Sequence, residues 1–230
     1  MNTHGLVWAL VLAVLAGCAP TQQPRQLLSD TSGSVTIEGD VWADNWFALY
    51  LGDQLLIEDS VSIRTERSFN AESFSFQADY PIVLNFVVKD FKENDSGLEY
   101  IGSQKQQLGD GGFIAQFRDA NTGKLPAATD STWPCMVLHH GPNDESCAKL
   151  DSPVTGEGPC AFTSQEEPAG WKQTDYSTDE WTKATEFSAS AVRPKDGYNR
   201  VSWDSYAKLI WSSDLKKDNT ILFRVVIEGP

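Results

Sequence analysis

Hydrophobic and polar residues alternate over several short stretches of the chain, which is the period of a β-strand with one buried face. Such alternation occurs at residues 34–38, 61–63 and 74–76. Residues 81–91 are instead almost continuously apolar and β-branched, which predicts a central strand buried on both faces. No window of a dozen residues carries a convincing helical period.

Residues 46–58 predict a β-hairpin, because two β-prone runs flank the turn signal Gly52-Asp53. Two further strands are predicted at 112–118 and 220–227. Many short strands separated by turn residues are typical of an all-β protein. We therefore expect an antiparallel β-sandwich.

The beginning of the chain has the pattern of a lipoprotein signal peptide. Residues 6–16 form an apolar run that is too short to cross a bilayer as a helix but fits a signal-peptide core. The run ends in the letters LAGC at 15–18, which resembles a bacterial lipobox. By this resemblance, residues 1–17 are removed and Cys18 carries acyl chains, two or more of which anchor a protein stably.

The residues after Cys18 extend this prediction. Ala19 in place of Asp favours the outer membrane by resemblance to lipoproteins in general, and residues 18–33 predict a flexible tether. Residues 34–230 are long enough for one substantial core and are expected to form a single domain. An ordinary signal peptide with a chance cysteine stays open, because residues 1–4 contain no Lys or Arg.

The charge excludes some partners and is unevenly distributed. The chain carries 18 Lys and Arg against 32 Asp and Glu, a net charge of −14, which argues against nucleic acid and against a polybasic membrane binder. Membrane attachment is therefore expected through the lipid anchor alone. Residues 40–100 hold 12 acidic and 4 basic side chains, whereas residues 171–230 hold 9 of each. The acidity thus belongs mainly to the N-terminal half and to the long segment 129–170.

Three segments resemble a known family. The sequence ADNWFALYLGD at 43–53 is similar to a hairpin of galactose-binding-like β-sandwiches, and residues 170–181 and 209–224 are similar to two later motifs of the same domains. These domains are jelly rolls that occur as carbohydrate-binding modules and as accessory domains of glycoside hydrolases. The resemblance implies a jelly-roll sandwich in which residues 92–170 form a long loop insertion.

A carbohydrate site needs an aromatic face for the sugar ring and planar polar groups for its hydroxyls. Trp42, Asp44, Asn45 and Trp46 supply both within five residues, so they are candidate sugar contacts. The alternative is that the tryptophans are core rings and that Asp44 and Asn45 are turn residues.

Oxygen ligands for calcium are concentrated at 90–99, where Asp90, Asn94, Asp95 and Glu99 are candidate ligands. The spacing does not match an EF-hand loop, and a solvated acidic loop is the alternative. The family resemblance implies a structural calcium in addition. No other cofactor is expected.

Three cysteines remain when Cys18 is lipidated. Cys147 and Cys160 lie in the loop rich in Pro and Gly, and a disulfide between them would offset part of the ordering entropy of that loop. We expect this pairing, with Cys135 as a free buried thiol. The pairings Cys135–Cys147 and Cys135–Cys160 stay open.

Sulfur and imidazole donors are also close in sequence at 135–140. Copper or zinc would select ligands such as Cys135, Met136, His139 and His140, so a metal carrier is one alternative function. A structural or assembly lipoprotein that binds another envelope protein through residues 130–165 is a second. No P-loop, dinucleotide fingerprint or nucleophile elbow is present, so we expect a non-catalytic lipoprotein that binds carbohydrate.

Overall fold

The structure, a computed structural model, describes residues 25–229. Short strands dominate, as the alternation predicts. In chain order the strands are β1 Gln26–Leu27, β2 Val35–Asp44, β3 Trp46–Leu51, β4 Gln54–Glu58, β5 Phe69–Ala78, β6 Ile82–Lys89, β7 Leu98–Glu99, β8 Gln107–Leu108, β9 Gly112–Asp119, β10 Ala127–Ala128, β11 Pro134–His140, β12 Thr163–Ser164, β13 Thr182–Lys183, β14 Thr185–Phe187, β15 Leu209–Trp211 and β16 Asp218–Ile227. The helices are the single-turn α1 Ala189–Val192 and three 3-10 turns at Glu145–Lys149, Gly158–Cys160 and Tyr198–Arg200.

Two sheets face each other. One has the order β1-β5-β2-β9-β15-β14, with β10 paired to β9, and we call it sheet A. The other, sheet B, has the order β12-β11-β16-β6-β3-β4, with β13 paired to β11. Apart from the parallel pair β1–β5, the strands of both sheets run antiparallel. The expected antiparallel β-sandwich is confirmed.

The core lies between the sheets and is rich in aromatic rings. Phe113 of sheet A stacks on Phe223 of sheet B with ring centroids 5.1 Å apart, and Phe86 meets Phe113 edge to face at the same distance. Side chains that alternate along each strand supply the rest, because only one face of each sheet points inward. Fully buried members include Ile37, Phe47, Phe74, Phe76, Phe117, Trp211 and Ile221.

Most local predictions are confirmed. β3 and β4 form the hairpin predicted at 46–58, and β6 pairs with β3 on one side and β16 on the other, as expected of a central strand. The strand predicted at 61–63 is wrong, since that stretch contains bends and no strand. A three-residue alternation is too short to specify a strand without partners.

The insertion predicted at 92–170 requires a correction. β9 lies inside sheet A, paired along eight residues with β2, and β11 pairs with β16 in sheet B. These strands belong to the sandwich itself, because their backbone groups complete its ladders. The long irregular connections are therefore shorter: one precedes β9, and the other follows β11.

The predicted signal peptide, the lipidated Cys18 and the first part of the tether lie outside the described residues. The end of the tether is attached to the domain, since β1 pairs with β5 and the Leu28 amide donates to the Ser75 carbonyl at 2.9 Å. Among residues 25–229, no helix has the length and apolar character needed to cross a membrane.

Candidate functional site

Four acidic side chains meet at one end of the sandwich, and we call them the acid cluster: Asp44, Asp90, Glu99 and Asp110. Asp44 is the last residue of β2, and Asp90 directly follows β6. Glu99 closes β7, and Asp110 lies in the link from β8 to β9. Asp44 pairs in register with Gly112 of β9, which brings the β8–β9 link to the end of β2.

The carboxylates of the acid cluster are close together, and all but the partly buried Asp110 are almost completely buried. Asp44, Asp90 and Asp110 each offer an oxygen, and these three oxygens lie within 4.8 Å of one another. The exposed fraction is 0% for Asp44, 2% for Asp90 and 1% for Glu99. Both oxygens of Asp44, both of Asp90 and one of Glu99 accept no hydrogen bond. Buried carboxylates without partners are costly, so this is an unusual arrangement for a purely structural cluster.

Lys195 is the only basic side chain of the described residues that forms an ion pair with the acid cluster. Its ammonium lies 3.5 Å from Oδ2 of Asp44 and donates to both oxygens of Asp110 at 3.0 and 3.1 Å. The same ammonium sits 4.5 Å from the centre of the Phe69 ring. One positive charge therefore compensates four acidic groups only in part.

Burial and mutual repulsion shift the titration of the cluster. Desolvation is the largest cause that raises the pKa of Asp44 and Asp90, and the charges of neighbouring acids raise both further. Burial raises the pKa of Glu99 to about 7. Lys195 loses hydration on burial, yet attraction to Asp44 and Asp110 outweighs this and raises its pKa. Asp44, Asp90 and Glu99 therefore retain protons at a pH where ordinary carboxyl groups are ionised.

Backbone and side-chain bonds hold these residues in place. The Asn45 side chain donates to the Glu66 carbonyl at 3.1 Å and accepts from the Phe91 amide at 2.6 Å, which ties the ends of β2 and β6 together. The Trp42 indole donates to the Asp196 carbonyl at 3.0 Å, which fixes the loop that carries Lys195.

A cavity of about 450 Å³ lies against the acid cluster, and we call it the end pocket. Tyr100 and Phe69 supply aromatic surface, and Gln107 supplies an amide that donates to Glu99 at 2.7 Å. The pocket lining consists of Glu66, Arg67, Phe69, Glu99, Tyr100, Lys105, Gln107, Asp110, Arg193 and Lys195.

The rim of the end pocket carries free positive charge. Arg67, Lys105 and Arg193 are exposed, and within residues 25–229 none of the three forms an ion pair. The Lys105 ammonium lies 5.8 Å from the centre of the Tyr100 ring. Three unpaired cations around one opening stand out in a chain with a net charge of −14.

The structure separates the four candidate sugar contacts. Trp42, Asp44 and Asn45 are each 0% exposed, so none of them presents a face to solvent. Trp46 is partly exposed on the outer side of sheet B, under the Lys89 ammonium at 5.0 Å. Of the four, Asp44 joins the acid cluster, while Trp42 and Asn45 position the chain around it.

The four candidate calcium ligands are also divided. Asp90 and Glu99 join the acid cluster. Asn94 instead accepts from the Ser96 amide at 2.9 Å, and Asp95 pairs with Lys92. Both side chains are exposed and make these local contacts instead of joining the acid cluster.

The sulfur and imidazole donors on β11 do not converge. Cys135 points into the core and contacts the Thr182 hydroxyl, whereas Met136 packs on the opposite face of sheet B. His139 Nε2 lies 3.7 Å from Asp95, and His140 Nδ1 lies 2.6 Å from Asp218. Burial lowers the pKa of His139 to about 4. Each donor has a separate environment because neighbouring strand residues face opposite sides.

The expected disulfide is confirmed, and it lies close to the site. Cys147 and Cys160 are bonded, and Cys135 is a free buried thiol. The disulfide packs with Leu98, the residue before Glu99, in a small apolar cluster. Gln106 donates to the Leu150 carbonyl at 2.8 Å, which links the same loop to the β7–β8 hairpin. The disulfide-closed loop therefore supports the hairpin that carries Glu99.

Asp110 and Lys195 are site residues that sequence reasoning missed. Asp110 lies in the glycine-rich stretch 109–112, directly before the strand predicted at 112–118. A glycine run can also mark a close backbone approach, and Gly109 does so here. Lys195 carries no local signal, since it reaches the cluster from a loop 85 positions after Asp110.

A second cavity, of about 470 Å³, lies on the outer side of sheet A, but its charges are largely paired within the protein. Arg25 pairs with Asp40 at 3.0 Å, and Arg118 pairs with Asp204 at 3.0 Å. The end pocket, with unpaired cations above unpartnered carboxylates, is therefore the better candidate site.

In comparisons with known proteins, no family model, no curated protein and no solved structure matches the chain.

Proposed function

We propose that this chain is a lipid-anchored, non-catalytic binding protein of the bacterial envelope that binds carbohydrate with acidic substituents in the end pocket. The observation that carries the proposal is the composition of the end pocket, which combines aromatic surface, an amide and unpaired cations in one opening. The lipobox-like sequence that ends at Cys18 supports the location in the envelope.

The aromatic and polar groups suit a sugar. A pyranose ring presents C–H groups to an aromatic face and hydroxyls to planar polar groups. Tyr100 supports the first contact, and Gln107 and Glu66 support the second. Lys105 lies over the Tyr100 ring and is exposed, so its flexible side chain can move aside for a ligand.

The unpaired cations favour an anionic ligand. Arg67 and Arg193 offer guanidinium forks, which match carboxylate and sulfate groups with two parallel hydrogen bonds. A uronic acid or a sulfated sugar presents such a group beside the ring that stacks on Tyr100. A neutral sugar leaves the three rim cations without counter-charges.

Direct binding to polysaccharides tests the ligand. Calorimetry with a polyuronate and with a neutral glucan of similar size should give binding for the first and a weaker or absent signal for the second. Tyr100→Ala and the double variant Arg67→Ala/Lys105→Ala should each weaken binding tenfold or more, and added salt should weaken it further.

Lys124→Ala is the matched control, because Lys124 is exposed and lies outside the end pocket. An unchanged affinity of the double variant would overturn the proposed site. Release of reducing ends from the bound polysaccharide would overturn the non-catalytic assignment. Failure of all polysaccharides, with crosslinking of an envelope protein to the loop of Cys147–Cys160, would favour the assembly function instead.

Metabolic labelling tests the anchor. Cells given an alkyne-modified fatty acid should incorporate it into the wild-type chain and not into Cys18→Ala. Recovery of the wild-type protein in the outer-membrane fraction is expected, and the alanine variant should be released from membranes. Equal labelling of both chains would contradict lipidation at Cys18.

A further inference from the structure

We propose that the acid cluster binds a calcium ion through Asp44, Asp90 and Asp110, with Glu99 beside them. This ligand set keeps Asp90 and Glu99 from the candidates in the 90–99 loop. Asn94 and Asp95 are not part of it, and Asp44 from β2 and Asp110 from the β8–β9 link are added. The inference stands independently of the proposed carbohydrate, since it depends on the cluster and not on the end pocket above it.

The spacing of the oxygens fits one ion. Calcium binds oxygens at about 2.4 Å, so ligands on opposite sides of the ion are about 4.8 Å apart. The oxygens of Asp44, Asp90 and Asp110 are all within 4.8 Å of one another. One ion therefore contacts all three carboxylates with little movement of their side chains.

The oxygens of Asp44 and Asp90 that accept no hydrogen bond indicate that a cation belongs between them. Asp90 is 2% exposed and Asp44 is 0% exposed, yet both oxygens of each accept no hydrogen bond. Buried polar atoms of this kind normally have partners, and an ion satisfies several of them at once. A salt bridge to Lys195 reaches Asp44 at 3.5 Å, but no basic group of the described residues pairs with Asp90.

The donor chemistry selects a hard cation. All donors of the acid cluster are carboxylate oxygens, which suit calcium, magnesium and manganese better than zinc or copper. The histidine and cysteine side chains of β11 have other partners. Magnesium dehydrates reluctantly and keeps several waters, whereas Asp44 and Asp90 are enclosed by protein. A dehydrated calcium ion fits this enclosure better.

Lys195 competes with the ion. Its ammonium lies among the same carboxylates, 3.0 Å from Asp110 and 3.5 Å from Asp44, where a divalent cation would repel it. The side chain is 36% exposed, so it can withdraw toward solvent. Lys195 thus compensates the cluster in part when calcium is absent and leaves it when calcium binds.

Calcium binding also changes the charge beneath the end pocket. At a pH where all carboxyl groups of the acid cluster are ionised, four basic side chains of the lining face five acidic ones when Asp44 and Asp90 are added to Glu66, Glu99 and Asp110. At that pH the two charges of the ion reverse the excess from negative to positive. An anionic ligand is therefore expected to bind the end pocket more tightly in the presence of calcium.

The experiment is calcium titration of the lipoprotein purified in detergent and freed of metal with a chelator. Calcium at about 100 times its Kd should raise the Tm by about 5 °C or more. Terbium should give luminescence sensitised by tryptophan, and calcium should displace it. Magnesium at the same concentration should give a markedly smaller shift.

Variants locate the ion. Asp90→Asn should abolish the calcium-dependent shift and the terbium signal, and Lys195→Met should raise calcium affinity about tenfold by removing the competing charge. Asp59→Asn is the matched control, because Asp59 is also a buried carboxyl with an unpartnered oxygen but lies outside the acid cluster.

The outcomes are decisive. Loss of the shift in Asp90→Asn with retention in Asp59→Asn supports the site. The absence of a shift in the wild type, or an equal shift in Asp90→Asn and the wild type, would overturn it, and an equal response to magnesium would overturn the assignment to calcium. Should Asp90→Asn fail to fold, an unchanged calcium affinity of Lys195→Met would count against the site by itself. Because polysaccharide is absent from these titrations, failure here leaves carbohydrate binding to be judged separately.

Discussion

A β-carbon on Gly109 would lie 2.0 Å from Oδ2 of Asp90, closer than any real side chain allows. Gly109 is buried, and its missing side chain is what lets the β8–β9 link pass over the carboxylate. The next residue of that link is Asp110, so the close approach of Gly109 also brings the third carboxylate of the acid cluster beside Asp90.

Gly109→Ala should therefore disturb the acid cluster directly. The added methyl group must displace either the Asp90 carboxylate or the link, and calcium affinity should fall at least tenfold. Titration of metal-free protein measures this. Gly229→Ala is the matched control, because a β-carbon there would make an ordinary contact of 3.4 Å with Tyr80, and it should bind calcium like the wild type. Equal affinities of both variants would contradict the proposed ligand set.

Stability of the metal-free protein should depend on Glu99 as the pH rises. Its pKa is raised from 4.5 to about 7 by burial, so between these values the folded protein holds a proton that the unfolded chain releases. The stabilisation is complete below pH 4.5 and is lost as the pH rises through 7, at a cost of about 3 kcal/mol for a shift of this size. Glu99→Gln should match the wild type at pH 5 and be more stable than it at pH 8.

The comparison of these two proteins cancels the titrating groups that do not interact with Glu99, whereas the pKa of Asp44 and of Asp90, which the Glu99 charge raises, falls in the variant and adds to the expected difference. Asp59, with a pKa of about 7, acts in the same direction, and His139, with a pKa of about 4, acts in the opposite one. Urea unfolding at pH 5 and pH 8 measures the free energy of unfolding of the wild type and of Glu99→Gln at each pH. Calcium should stabilise the wild type more at pH 8 than at pH 5, because ionised carboxylates bind it. A Glu99→Gln protein with an unchanged pH slope would refute the assignment.

The disulfide should contribute measurably to stability. Cys147 and Cys160 close a loop with a sequence separation of 13, for which chain entropy predicts about 3 kcal/mol. The double variant Cys147→Ala/Cys160→Ala should lose about this amount in urea unfolding and should no longer respond to reductant. Cys135→Ala should keep its response to reductant, because that thiol is free. A reductant response carried by Cys135 would contradict the pairing.

Arg224 should anchor the segment that covers the outer face of sheet B. Its guanidinium donates to the Asn85 side chain at 2.8 Å and to the carbonyls of Gln173 and Thr174 at 2.9 and 3.0 Å. Arg224→Met leaves these acceptors unpaired and should cost about 2–4 kcal/mol.

Arg224→Lys separates geometry from charge, because lysine keeps the charge but lacks the planar fork. It should be intermediate in urea unfolding, and hydrogen exchange in residues 171–181 should speed up in both variants. Unchanged exchange in that segment would mean that Arg224 does not hold it.

Local patterns were sufficient for several elements. The hairpin of β3 and β4 and the central strand β6 follow from turn residues and apolar runs, which depend on neighbours in sequence. The Cys147–Cys160 pairing was also predicted, because both residues lie in the loop rich in Pro and Gly, whose ordering entropy a disulfide offsets in part. The strand predicted at 61–63 is wrong, because that stretch forms bends and pairs with no described strand.

Sequence patterns predicted the strand-rich sandwich and named Asp90 and Glu99, two members of the acid cluster, as candidate cation ligands. The three-dimensional arrangement was needed to show that Asp44 and Asp110 join them, that Lys195 pairs with Asp44 and Asp110, and that Trp42 is buried. The physical reason is that the cluster draws on distant segments, which meet because Asp44 lies opposite Gly112 in the register of sheet A. Strand register is a property of the whole sheet, and alternation within one strand does not specify its partner.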